Sequence, residues 1–80
     1  MTGDRAEVIE ALAKRVGTPP LTEAEIESVL ALAAVAAHGS GDRTTAPLAS
    51  FLAGVAAART EDRVALLDEL RRHIAESTGT

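Results

Sequence analysis

Eighty residues confine this chain to one domain, near the lower limit of what folds unaided. A net charge of −4 argues against nucleic acid as a partner, and one aromatic residue, Phe51, leaves no platform for stacking bases. The absence of cysteine excludes disulfides and thiolate metal sites.

The first ten residues mix acids with Arg5 and lack an apolar core, so no signal peptide is expected and the chain reads as cytoplasmic. A first helix is expected over about 4–16, capped by Asp4. Val8, Ile9, Leu12 and Val16 fall on one face, opposite Glu7, Glu10, Lys14 and Arg15. Gly17 stops this helix and Pro19-Pro20 prevents its return.

Thr22-Glu23-Ala24-Glu25 has the form of a capping box, opening a second helix over about 23–38. Glu23 and Glu27 share a face, but no histidine lies near them in sequence, so no metal site is expected. From Val29 to Ala37 no polar residue interrupts the chain. A helix apolar all round is normally buried all round, and that is the expectation here. The run is too short to cross a bilayer and follows glutamates, so a membrane span is rejected. His38-Gly39 should end the helix, with glycine just past its C-terminus.

A loop of about eight residues leads to a third helix over about 47–59, opened by Pro47. Leu48, Phe51, Leu52 and Val55 form its larger apolar stripe and are expected to fill core. Ser50, Gly54 and Ala58 recur at spacing four beside Ala53 and Ala57. Small residues so spaced let two backbones approach, so this helix is expected to pack tightly on the second. Val29, Leu32, Val35, Phe51 and Gly54 are the residues assigned to that packing and to interaction. Thr60 can cap a fourth helix over about 61–76, whose inner face is Val64, Leu67, Leu70 and Ile74. The fold expected is all-α, a compact antiparallel four-helix bundle with a tight alanine-rich pair at its centre.

Nineteen side chains are Val, Ile, Leu or Phe, a thin supply for a core. Self-association or docking on a larger protein would relieve that shortage.

One constellation of polar residues stands out. His38 ends the second helix, Arg43 sits in the loop, and Thr44 and Thr45 precede the free N–H groups of the third. A helix N-terminus with a nearby arginine is a ready anion site. A bland reading is also sufficient: His38 compensates the helix dipole, and Arg43 pairs with Asp42 or with the rim. Pro47 removes one donor and no P-loop pattern is present. Nucleophilic catalysis is disfavoured, because a serine or threonine in a flexible glycine loop lacks preorganisation. No catalytic residue and no cofactor is assigned, and no enzyme activity is expected.

The stretch Val35-Ala36-Ala37-His38-Gly39, continued by Arg43-Thr44-Thr45-Ala46-Pro47-Leu48-Ala49-Ser50-Phe51-Leu52-Ala53-Gly54-Val55-Ala56-Ala57, resembles a small actinobacterial helical domain of unknown function. The shared core reads Ala-His-Gly, then Arg, then Ala-Pro-Leu, Phe-Leu and Gly. Domains of that family occur alone or fused behind nucleotidyltransferases similar to the molybdenum-cofactor guanylyltransferases. The resemblance implies a non-catalytic accessory domain linked to molybdopterin guanine dinucleotide synthesis. Its implied partner is such a nucleotidyltransferase; the thin core makes a second copy of the chain the other expected partner. The alternative reading is a small-ligand protein that holds a phosphate-bearing cofactor or nucleotide at loop 38–47.

Overall fold

The computed structural model describes residues 4–79. Four helices follow in order: α1 (Arg5–Val16), α2 (Glu23–Ser40), α3 (Thr45–Ala57) and α4 (Arg63–Thr78), and no strand occurs among the described residues. This is an all-α bundle.

Each helix starts on chemistry written in the sequence. Asp4 and Glu7 form a capping box for α1, and Thr22 and Glu25 form one for α2. Each pair satisfies two end N–H groups that the helix itself cannot reach. For α4 the cap is Asp62, whose carboxylate accepts from the Ala65 N–H at 3.1 Å, rather than Thr60. The Thr60 hydroxyl accepts instead from the Asp62 N–H and so holds the cap in place. α3 begins at Thr45, two residues before Pro47, which therefore stands inside the first turn where an N–H has no partner to lose.

α2 runs two residues further than expected. Its left-handed cap is Gly41, with φ 73°, and Gly39 stays helical. Gly39 has a different task. A Cβ there would stand 2.8 Å from the Thr78 Cβ, so glycine lets the ends of α2 and α4 meet. At the opposite end the Arg63 guanidinium pairs with the Glu25 carboxylate at 2.6 Å, and the Ser28 hydroxyl donates to Asp68 at 3.3 Å. Contacts at both ends in the same chain order make α2 and α4 parallel neighbours. α3 returns between them, joined to α2 by the short segment 41–44.

Close backbone approaches join α2 to α4, α2 to α3 and α3 to α4; α1 makes none among the described residues. The core is a cluster of Leu32, Ala53 and Leu67, one residue from each of these three helices, with Val29, Ala49, Leu70 and Ile74 packed around it. Ala36 and Ala57 are also buried, so the alanine-rich pair does pack closely. α1 lies beside the start of α2. A hollow of about 280 Å³ between them is lined by Ile9, Ile26 and Leu30. Val8 and Ile9 are half-buried, while Leu12 and Val16, expected on an inner face, are exposed.

Two expectations about the apolar helices reverse. α2 is not buried all round: Leu32 and Ala36 are fully covered, but Leu30 is 49 % exposed and Ala34 faces solvent. α3, by contrast, turns its alanines inward and its large side chains outward. Phe51 is 73 % exposed, Leu52 70 %, Leu48 67 % and Val55 45 %. The reason is volume. Leu32 from α2 and Leu67, Leu70 and Ile74 from α4 already fill the centre. Only the small face of α3, Ala49, Ala53 and Ala57, fits against them.

Candidate functional site

The loop at the start of α3 is stitched to itself. The Ser40 hydroxyl donates to the Ala36 carbonyl at 2.7 Å and lies 2.9 Å from the Thr45 hydroxyl. The Asp42 carboxylate accepts from the Thr44 N–H at 2.9 Å and from the Thr44 hydroxyl at 2.7 Å. These two bonds hold the Asp42 carboxyl below its ordinary pKa, the hydroxyl contributing most and the amide next. The N–H groups of Thr45 and Ala46 donate to the carbonyls of Asp42 and Arg43. The donors that a bound anion would use are therefore engaged by the chain's own oxygens.

His38 and Arg43 are exposed. Arg43 does not pair with Asp42. The ion pair seen among the described residues is Arg63–Glu25. His73 is also on the surface, with its Nε2 3.5 Å from the Ser77 hydroxyl. No group of three metal-ligating side chains occurs among the described residues. Thr44 and Thr45 are thus brought to Asp42 and Ser40, while His38 and Arg43 have no hydrogen-bonding partner among the described residues.

The residues assigned to packing and interaction divide. Leu32 is core, and Val29 and Val35 are half-buried on α2. Phe51 and Gly54 are exposed on α3 rather than buried between the helices. A Cβ at Gly54 would meet nothing within 4 Å, so Gly54 is not a close-packing glycine. That property belongs to Gly39.

The outer face of α3 is the dominant surface feature. Exposed residues on it are Pro47, Leu48, Phe51, Leu52, Gly54 and Val55, and no charged residue occurs anywhere in Thr45–Ala57. Singly exposed apolar side chains are ordinary, but a contiguous helix face of them marks an interaction surface. Beside this face lies a groove of about 180 Å³ between α3, α2 and the start of α4. The buried Leu32, Ala53 and Leu67 line it together with Ser50, Gly54 and Ala58, and the Glu25–Arg63 pair also contributes to its wall. The Glu25–Arg63 link was not foreseen from sequence, because the capping box already accounted for the glutamate. For α3 a signal was present: its thirteen residues carry two apolar faces and no polar one.

Fold and surface together define a small all-α domain with one uncharged helix face turned to solvent. No described helix is long and apolar enough to cross a membrane. The chain belongs to the family of the domain of unknown function DUF6457, whose model matches residues 4–79. No curated protein and no solved structure matches it.

Proposed function

We propose that this chain is a non-catalytic helical accessory domain that works by docking, through the outer face of α3. The observation that carries the reading is the exposure of Leu48, Phe51, Leu52 and Val55 on a helix without a single charge. A helix apolar all round normally has cover on every side, and here one side has none among the described residues. The four side chains follow the i, i+3, i+4, i+7 spacing by which a helix is read by a partner.

The resemblance of residues 35–57 to the actinobacterial domain supplies a context. On that basis the domain serves molybdenum-cofactor synthesis in the cytoplasm, docked on a guanylyltransferase-like nucleotidyltransferase or on a second copy. The competing ligand reading is weaker, because Asp42 occupies the Thr44 donors that a phosphate would need. Arg43→Ala is expected to leave phosphate and nucleotide titrations unchanged.

Co-purification tests the docking reading. A molybdopterin nucleotidyltransferase encoded by the same genome should retain the wild-type chain, and Leu52→Glu should release it. Retention of Leu52→Glu at wild-type strength, or of neither protein while both stay monomeric, would remove the support for a docking role of α3.

A further inference from the structure

Resting on the docking reading, we infer that the outer face of α3 takes a second copy of the same chain, each copy seating its Phe51 in the groove of the other. Knob and hole lie on one helix. Phe51 is the sole aromatic residue of the chain and stands largely in solvent. The groove beside it, with Gly54 and Ala58 on its α3 wall, measures about 180 Å³. An apolar cavity of about 150 Å³ accommodates a benzene molecule, so a phenyl ring fits. Gly54 contributes no side chain to obstruct entry, and open space surrounds it.

The geometry is self-complementary. Phe51 lies on one flank of Gly54 and the groove residues Ser50, Ala53 and Ala57 on the other, so two α3 helices paired in parallel about a two-fold axis beside Gly54 bring Phe51 of each copy to the groove of the other. The same contact is then repeated in reverse, as a closed isologous dimer requires. Ser50, Gly54 and Ala58 would let the two backbones come close at the crossing.

Charge points to the same occupant. The chain carries −4, and none of its charges lies within Thr45–Ala57. Pairing α3 with α3 buries no unpaired charge and leaves the acidic faces outward. The outer face of α3 carries no charge, and the two charges on the groove wall, Glu25 and Arg63, are paired with each other, so the uncharged apolar face matches its own copy.

Area sets the expected strength. A stable interface hides about a tenth of a small protein's surface, and the accessible surface here is 5904 Å². The four large side chains, at about 60–120 Å² each when fully covered, supply part of that tenth, and the groove walls must supply the rest. Such an interface stands at the small end of the specific class, so a micromolar dimer is expected.

Sedimentation velocity over roughly 1–500 µM, a range that brackets micromolar affinity, tests this. The wild type should pass from monomer to dimer. Gly54→Leu should remain monomeric with an undiminished melting temperature, because a Cβ there meets nothing within 4 Å and the rest of the side chain occupies the open groove. Phe51→Ser should weaken association at least tenfold. A wild type monomeric across the range, or a Gly54→Leu chain that dimerises like the wild type, would overturn the inference. If the wild type stays monomeric while a nucleotidyltransferase still captures it in a Phe51-dependent way, this inference alone fails. If Phe51→Ser changes neither behaviour, the docking reading fails with it.

Discussion

α3 and α4 both lean on α2, yet they spend their side chains in opposite ways. α4 points Leu67, Leu70 and Ile74 inward and shows Arg63, Glu69, Arg72 and Glu76 to water. It is an ordinary amphipathic helix whose outer face needs nothing further. α3 points alanines inward and shows Leu48, Phe51, Leu52 and Val55 to water. Its outer face is more apolar than its inner one in side-chain size. The contrast teaches that this chain does not keep its largest side chains for its own core. They stand in solvent, on the face proposed for docking.

The contrast can be broken first on α4. Leu67 is 4 % exposed in the centre of the cluster, so Leu67→Ala should cost about 2–5 kcal/mol, the range for truncating a buried leucine. In a domain this small that leaves little or no cooperative thermal transition by circular dichroism. Gly39→Val asks whether the glycine at the α2–α4 contact is the close-packing one. Its branched side chain collides with Thr78, and overpacking of this kind costs about 1–3 kcal/mol, readable in urea melts. Gly54→Val on the open face of α3 should cost far less.

Arg63→Ala removes the partner of Glu25, whose side chain is nearly covered while the arginine is about half exposed. A pair placed between surface and interior should contribute about 1 kcal/mol, more at low salt than at high. Phe51→Ala, in dilute protein where no partner is bound, should change stability by less than about 0.5 kcal/mol, as for a surface site. A loss of several kcal/mol there would show that Phe51 is core after all.

The smallest effect is a pH dependence in the loop. The Asp42 carboxyl is held below its ordinary pKa by Thr44. Its contribution is therefore complete above the unfolded value and fades as pH falls below about 4, through the folded value. Asp42→Asn should remove that part of the acid dependence and leave the melting curve at pH 7 nearly unmoved.

Much of the architecture was legible in the residues. Asp4 and the Thr22–Glu25 box mark helix starts because their side chains can satisfy backbone donors only there. Val64, Leu67, Leu70 and Ile74 announce an inner face because charged residues occupy the other side of the same helix. Where a helix is polar on one side, its orientation is fixed by pattern alone. α3 lacks that constraint. With no polar face, its pattern permits either side inward, and size led to the wrong one. The decision falls to tertiary packing: alanines make the close contact of α3 with Leu32 and Leu67, and its larger side chains stand outside that contact. The same reasoning explains the glycines. Gly39 and Gly54 look alike in sequence, and only the position of Thr78 separates the crowded one from the open one.

The candidate site was legible in part. His38, Arg43, Thr44 and Thr45 do cluster about one loop by sequence. Asp42 claims both donors of Thr44, a local competition that short polar side chains in turns commonly win. Phe51 was singled out for packing and interaction, but its exposure follows from contacts more than twelve residues away in sequence, which no local pattern encodes.

The central claim is that α3 faces solvent in the protomer and is covered only by another molecule. Hydroxyl-radical footprinting of Phe51 and Leu52 across a dilution series reads this most directly. The account predicts strong labelling of both in dilute protein and progressive protection as concentration rises, with exposed residues of α4 unchanged. Phe51 and Leu52 protected equally at every concentration would place them in the protomer's own core and contradict it.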